Sequence, residues 1–521
     1  MKKITCAALL LSTSLGMQAQ DSYFNDQLIN NAGDVHGTAR FVGMGGAMGA
    51  LGADMSTMNW NPAGIGMFRR SDISITAGAG WNKKGIDEES TTNANFQQFG
   101  AVYSLDLEEP YGLRYINFGV NYQKKLDFNN AFYADNMNLK GLSQMSQLAD
   151  MVNAGFDTDN NLAGMAVDNY FLTPCDENGN VIDEADKKTP IHHYANPYLG
   201  VENYYTQKSE GWLKEFSVNI SGNVNDRFYW GLTVGVDMLK YRSWNDYYEV
   251  SMSLPEGIRG DYSLYNDHAI DGTGINFQLG AIVRPFEESP LRIGLVAETP
   301  TWFHLRKSTL FQLTDNVLGD RTRELESYLE YAIRSPWKLR AGIGSTVGTR
   351  LAWDVDYEFA AYGHTAMGYP NRDIDDPYNN LFNNTWDKDM NKNTKANMRA
   401  THNVRAGVEF KPINCLALRL GYNYASSAYN KNISLDQYSL DSYAMNYATT
   451  TSFMRMSDVH SITAGVGYKG KRTYIDLAYK YKDQKADFYA FDATSQSLSS
   501  LNPVVADLSR HQITATLGFK F

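Results

Sequence analysis

The residues best placed to do chemistry lie near the start of the chain. Residues 37–54 read Gly-Thr-Ala-Arg-Phe-Val-Gly-Met-Gly-Gly-Ala-Met-Gly-Ala-Leu-Gly-Ala-Asp, and Asn61-Pro62-Ala63 follows. A glycine-rich loop can cradle a phosphate on converging backbone N–H groups. This one departs from that pattern: Met48 stands where the third glycine belongs, no strand precedes, and no Gly-Lys-Ser/Thr follows. The other reading is a small-residue segment that packs backbone against backbone. A plug inside a larger structure needs that property.

Other candidate constellations are weaker. Asp157, Asp159, Asn161 and Asp168 fall at calcium-loop positions, but Leu162 replaces the turn glycine and Asp168 the bidentate glutamate. Asp373, Asp375 and Asp376, and the His192-His193 pair, read as solvated loop residues rather than a metal site. No nucleophile elbow or base–nucleophile motif is present, so neither an enzyme nor a resident cofactor is expected. Leu142, Met145, Leu148, Met151, Val152 and Phe156 recur at helical spacing in a long connection. Such a stripe either packs on what lies beneath it or offers an adaptable apolar surface to a ligand, a use that suits methionine. Leu325, Tyr328, Leu329 and Ala332 form a second amphipathic stretch in another connection, placed to make the opposite wall.

The elements that must position these groups are strands. Ile513, Ala515, Leu517, Phe519 and Phe521 alternate with Gln512, Thr514, Thr516, Gly518 and Lys520, so one face is oily and the other wet. About fourteen such stretches run from Ser71 to Phe521: Ile73–Trp81, Phe99–Leu105, Tyr115–Gln123, Phe216–Asn223, Phe228–Met238, Ile275–Val283, Leu291–Thr299, Trp337–Val347, Leu351–Phe359, Asn403–Phe410, Leu416–Tyr424, Ile462–Tyr468, Tyr474–Tyr481 and His511–Phe521. Charges recur on the wet face, which a soluble core accepts only when paired, whereas a barrel with lipid outside and a polar lumen accepts them. Short links such as Asn225-Asp226-Arg227 and Gly348-Thr349-Arg350 alternate with long ones spanning about 126–212, 244–272, 306–336, 363–400, 429–457 and 485–508. Long–short alternation puts every long loop at one end, as in outer-membrane barrels. Strand edges cannot face lipid unpaired, so the sheet should close. The lumen-facing set then holds Arg284, Arg292, Glu298, Arg340, Asp354, Asp356, Glu358, Arg405, Glu409, Arg419, Asp476 and Lys480. Mixed signs point to paired networks; alternatively, one arginine meets a ligand carboxylate.

Composition agrees. Mean hydropathy is −0.42 and no run of about eighteen apolar residues exists, which excludes helical membrane spans. Lys2-Lys3, an apolar core over 4–16 and Met17-Gln18-Ala19 read as a signal peptide over residues 1–19. Its removal takes the formal charge from −11 to −13, a poor balance for binding nucleic acid. Cys175 and Cys415 fall at opposite ends of the expected barrel, so no disulfide is expected.

With Arg40, Met44-Gly45-Gly46-Ala47, Ala53-Asp54 and Asn61-Pro62-Ala63 ahead of the first strand, the chain resembles the FadL/TodX family of outer-membrane transporters of hydrophobic compounds. The resemblance spans essentially the whole mature chain. It implies a hatch (plug) over residues 20–70 carrying Arg40, Gly45, Gly46, Asp54, Asn61, Pro62 and Ala63, and a transmembrane β-barrel over 71–521. It further implies passive, hatch-gated uptake of long-chain fatty acids or aromatic hydrocarbons, with capture between external loops. In that family a kink in an early strand makes a lateral opening; here that strand is Tyr115–Gln123, which carries no proline or bulge signal. Implied partners are the hydrophobic ligand, outer-membrane lipid and lipopolysaccharide, and barrel-assembly machinery reading Phe521; a monomer is expected. A plug of about fifty residues is too short for a TonB-dependent receptor. The rival readings are a surface adhesin or structural barrel, and a receptor for an amphipathic cofactor such as haem.

Overall fold

The structure, a computed structural model, describes residues 33–82, 92–109, 111–153, 155, 158, 161–182, 189–253, 259–316, 321–370, 384–430, 449–491 and 503–521. The expected signal peptide, Phe156, Asp157, Asp159, Asp373, Asp375 and Asp376 lie outside the described residues.

Period-two alternation does build strands here, and they close. The barrel strands are β1 (Asp72–Asn82), β2 (Asn93–Asp106), β3 (Leu113–Asp127), β4 (Tyr198–Val224), β5 (Phe228–Ser253) and β6 (Arg259–Val283). Next come β7 (Arg292–Glu298, continued by Trp302–Asp315) and β8 (Arg321–Arg334, continued by Lys338–Val347). The set ends with β9 (Leu351–Ala361), β10 (Ala400–Ile413), β11 (Leu416–Ala425), β12 (Val459–Lys469), β13 (Thr473–Asp483) and β14 (Arg510–Lys520). Neighbours are antiparallel, and β14 pairs back on β1 from Asp72↔Lys520 to Asn82↔Arg510. The fold is a closed fourteen-stranded antiparallel β-barrel, and each strand expected from alternation corresponds to one of these. Short turns join them at one end; Asn225 and Asp226 both adopt positive φ, as a tight hairpin turn requires.

The connections differ from expectation. Residues 244–272 and 306–336 are mostly not loops: β4, β5 and β6 run for 27, 26 and 25 residues, and β7 and β8 are as tall through their second segments. The stretch 325–332 therefore lies in a strand of the wall. On that strand Leu325 and Leu329 turn inward while Tyr328 is exposed.

Along these tall strands the polarity of the two faces exchanges. On β5 the outward residues are Phe228, Trp230, Leu232, Val234, Val236 and Met238, then Lys240, Arg242 and Asp246. The buried inward residues are Gly231, Thr233, Gly235 and Asp237, then Leu239, Tyr241, Ser243, Asn245, Tyr247 and Glu249. The lower eleven residues match a bilayer span, with apolar groups toward lipid and polar groups toward the lumen. Above them the strands form a collar that is wet outside and, within, packs apolar side chains among buried polar ones such as Asn245, Asn266 and Thr309. Leu213, Leu239, Tyr262, Ile270, Phe303, Leu305, Phe311 and Leu329 belong to one buried cluster inside that collar.

Helices α1 (Ala39–Gly43), α2 (Gln144–Asn153) and α3 (Leu162–Asp168) pack inside this frame. No described helix is long and apolar enough to cross a membrane.

Candidate functional site

Residues 33–68 lie within the lumen, hydrogen-bonded to strands on several sides: β3, β6, β9, β10 and β14. Local sequence shapes this segment. Thr38 caps α1 and its hydroxyl donates to Asp54, which caps a short 3-10 helix over Met55–Asn59. Asn61 caps the next one, Pro62–Met67, with Pro62 at its first position. The Asn61 amide also donates to the Gly49 carbonyl at 2.6 Å. Ala63 is fully buried beside Tyr229 and Ile282, and a Cβ on wall residue Gly231 would collide with Pro62. Asn-Pro-Ala is thus a cap, a helix start and a residue small enough to lie against bare wall backbone. Arg40 donates to the Ala53 carbonyl at 2.7 Å and to Glu409 at 3.2 Å.

The glycine-rich loop does cradle anions, but they belong to the protein. Asp356 accepts from Met48 N (3.0 Å), Gly49 N (2.8 Å) and Trp60 Nε1 (2.7 Å). Asp354 accepts from Ala50 N (3.0 Å) and Leu51 N (2.8 Å). Two carboxylates of β9 therefore clamp residues 48–51 to the wall. Gly45 and Gly46 take positive φ (65° and 76°), and a Cβ on wall residue Gly421 would collide with Gly45 N. Such mutual small-residue contact was legible; the carboxylate partners, some 300 residues away, were not.

Most of the rest of the lumen-facing set pairs as mixed charges should, while Arg292 donates to the Leu51 carbonyl (3.3 Å) and Arg405 lies over the Trp60 ring (3.5 Å) instead of meeting a carboxylate. Arg340 bridges Glu298 and Glu358, Arg419 bridges Glu409 and Asp476, and Lys480 meets Asp34. Arg284 is the exception in place: it bonds turn carbonyls of Asp226, Glu287 and Ser289 rather than facing the lumen network. In the N-terminal segment, burial and then Lys480 push His36 down to about 4. Burial opposes ionisation of Asp34, yet Lys480 and His36 outweigh it and hold its carboxyl well below the usual range.

Above the segment lies a cavity of ≈ 140 Å³ at the junction of band and collar. Leu126, Leu213, Phe303 and Tyr362 supply apolar lining, and charges of both signs face it, Lys125, Lys338, Arg340 and Arg405 with Asp34, Asp237 and Glu358. On the turn side the segment borders a cavity of ≈ 230 Å³ lined by Arg40, Asp54, Asp72, Glu409, Lys411 and Lys520. Both sides of the segment carry charge, and the loop side adds the larger share of apolar side chains from the collar.

The mouth is covered. Leu142, Met145, Leu148 and Met151 are buried in the collar cluster, and Val152 packs against it. In this conformation the apolar stripe seats α2 on the collar rather than lining an open groove. Glu249 of β5 holds that seat, accepting from Ser143 Oγ (2.6 Å) and Gln144 N (3.1 Å) at the start of α2. Among the former calcium candidates, Asn161 caps α3 and Asp168 pairs with Arg323.

Register breaks interrupt the wall in β1, β3, β4 and β10. β2 and β3 pair from Asp106↔Tyr115 up to Gln98↔Gln123, where their ladder ends, and on the other edge of β3 its register with β4 breaks between Lys124 and Leu126. This bulge lies just past the expected strand Tyr115–Gln123, where the sequence carries no signal for it. It turns Lys124 into the structure, toward Asn95 (2.6 Å) and Asp127 (2.6 Å). An outer cleft lined by Asn93, Asn95, Lys124, Trp212 and Lys214 sits against this seam.

No family model and no curated protein matches the chain. Solved structures do. A FadL homologue of Pseudomonas aeruginosa superposes with a TM-score of 0.52 at 12% identity, covering 94% of this chain and 99% of that one. A deltaS2 mutant of the TodX monoaromatic hydrocarbon channel gives 0.50 at 11% identity, with 94% and 99% covered. The CymD monoaromatic hydrocarbon channel gives 0.48 at 13% identity, with 92% and 96% covered. At such identities the likeness is one of fold: this chain is a fourteen-stranded β-barrel similar in fold to the FadL homologue and TodX structures.

Proposed function

We propose that the protein is a passive channel for hydrophobic small molecules, gated by residues 33–68 acting as a hatch. The carrying observation is the apolar cluster inside the collar, which extends through Leu126, Leu213, Phe303 and Tyr362 to a cavity lying directly on the segment. A hydrophobic compound needs no energy source to follow that surface out of water. It reaches the collar when α2 and α3 lift from the mouth, so Leu142, Met145, Leu148 and Met151 serve both to seat the lid and to greet the ligand. The charged cavity on the turn side disfavours onward passage of an apolar compound. The seam between β2 and β3 offers a route sideways instead. Fatty acids and aromatic hydrocarbons are the substrate classes this reading admits; TodX and CymD are described as monoaromatic hydrocarbon channels.

A surface-binding barrel is the second reading, favoured by the covered mouth. Equilibrium binding of detergent-free fatty-acid and aromatic probes to the barrel in lipid nanodiscs separates the two. Transport requires saturable binding, weakened in Met145→Asp/Met151→Asp, and probe flux into vesicles that rises when residues 33–68 are deleted. Absence of saturable binding by any apolar probe moves the assignment to the surface-binding reading.

A further inference from the structure

The outer face of the wall marks the level at which lipid ends. Tyr357 on β9 and His402 on β10, Tyr422 on β11 and His460 on β12, and Tyr479 on β13 and His511 on β14 make one contact three times, phenol oxygen to Nδ1 at 2.7, 2.8 and 2.7 Å. Each histidine also faces an aromatic ring across its ladder: Phe359, Tyr424 or Tyr481. Each lies nine residues from a lysine near the turn end of its strand, Lys411, Lys469 or Lys520. At about 3.4 Å per residue and a strand tilt of about 40°, that separation spans roughly the 25 Å height of an apolar band. Rings with one polar edge collect at such a boundary, so the three clasps sit at the upper edge of the band.

β4 and β5 reach the same level with lysines instead. Lys214 lies ten residues above Val224 and Lys240 twelve above Phe228. They are the first outward charges above the lipid-facing Phe216, Val236 and Met238. Lys214 pairs with Met238 in the β4–β5 ladder and Trp212 with Lys240, so the two lysines are diagonal neighbours, about 7–8 Å apart at their roots. Both line the outer cleft of ≈ 720 Å³, together with Trp212, Asn93 and Asn129.

The other charges of this cleft are answered. Lys124 meets Asp127 (2.6 Å), Arg242 meets Asp267 (2.6 Å) and Asp271 meets Arg306 (2.8 Å). Glu210 stands across the ladder from Arg242. Among the described residues, the ammonium groups of Lys214 and Lys240 have no hydrogen-bond or ion-pair partner. Lys214 lies only over rings, 4.3 Å from the centroid of Trp212 and 5.4 Å from that of Tyr122. Two like charges this close repel, and more strongly at the edge of lipid than in open water. An anion between them reverses the sign of that interaction. Phosphate is the anion that membrane lipids hold at this level, and basic clusters there take it up. Its oxygens can accept from both ammonium groups.

We propose that the outer cleft docks one phosphate-bearing lipid of the surrounding leaflet. Lys214 and Lys240 hold the phosphate, Trp212 covers the headgroup, and the acyl chains run down the face of Phe216, Val236 and Met238. The site lies on the outside of the wall, rests only on the barrel spanning a bilayer, and stands whether or not the lumen conducts.

The test uses the full barrel in detergent micelles, with lipid occupancy read by native mass spectrometry. Phosphatidic acid and diacylglycerol with the same chains differ only in the phosphate. Heat-modifiable gel mobility shows that each variant has closed before it is scored. Wild type should retain one phosphatidic acid and prefer it roughly tenfold over diacylglycerol. Lys214→Gln/Lys240→Gln should lose that preference, and Lys214→Arg/Lys240→Arg should keep most of it. Arg334→Gln removes an outward cation that covers Trp386 elsewhere on the wall and should leave the preference unchanged. Equal retention of the two lipids by wild type, or an unchanged preference in the double glutamine variant, overturns the site. An equal loss in Arg334→Gln reduces it to diffuse surface charge. Displacement of the lipid by an equal concentration of inorganic phosphate makes the cleft a free-anion site and overturns the lipid assignment.

Discussion

The membrane band and the collar are built from the same strands, yet they solve opposite problems. In the band, Leu232 and Val236 face outward and Thr233 and Asp237 inward. A few residues up β5, Lys240 and Arg242 face outward and Leu239 and Tyr241 inward. The backbone does not change between the two; the solvent outside does. Lipid makes apolar groups favourable outside the band, whereas water makes them favourable only inside the collar. An alternating pattern therefore says which residues share a face and is silent on which face looks inward. The difference also separates two kinds of interior. The band's lumen is held by ion pairs and by the clamped N-terminal segment, the collar's by packed rings and aliphatic chains.

The largest effect expected from breaking this contrast lies in the band's interior. Asp354→Ala/Asp356→Ala leaves the amides of residues 48–51 and the Trp60 indole N–H without acceptors. At about 1–3 kcal/mol for each of the five orphaned donors, docking of the segment should weaken by roughly 5–15 kcal/mol. Planar-bilayer conductance should rise sharply and protease should cut within residues 33–68, while the barrel keeps its heat-modifiable gel mobility.

Next in size is a direct comparison of the two outer faces. Leu232→Arg, in the band, should cost about 2–4 kcal/mol in urea unfolding from lipid vesicles. Ser308→Arg, on the outward face of the collar, should stay within about 0.5 kcal/mol. Equal costs would mean that the collar also sits in lipid.

The lid sharpens the comparison from the collar side. Glu249→Gln keeps one acceptor and removes the charge facing Ser143 and Gln144. A loss of about 1.4 kcal/mol there corresponds to tenfold faster amide exchange in α2, with the band unchanged.

The smallest effect is a pH dependence. With His36 pushed down from 6.5 to about 4, the unfolded segment takes up a proton below about 6.5 that the docked segment refuses until about 4. The docked state binds fewer protons in that window, so its stability is full above it and is lost as pH falls. Asp34, Lys480 and Gln97 surround the ring. Proteolysis of residues 33–68 should rise between pH 6.5 and 4 in wild type and rise less in His36→Gln.

Local chemistry made much of this molecule legible. Period-two alternation marked all fourteen strands because a lipid-facing side chain must be apolar wherever it falls. Asn61-Pro62-Ala63 and Asp54 could be read as special because caps and helix starts depend on residues a few positions apart. The heights of β4 to β8 could not be read the same way, since inward apolar residues such as Leu305 and Leu329 look like the stripe of a loop helix until closure shows what they face. The clamp of Asp354 and Asp356 on residues 48–51, the bulge at Lys124 and the isolation of Arg405 depend on partners that only barrel closure brings together. Sequence by itself determined the strands, their faces and the compact turns of the N-terminal segment, because those follow from neighbours along the chain. Tertiary structure decided which face meets water, which carboxylate answers which cation and which cation is left over, because those are set by distance across the lumen.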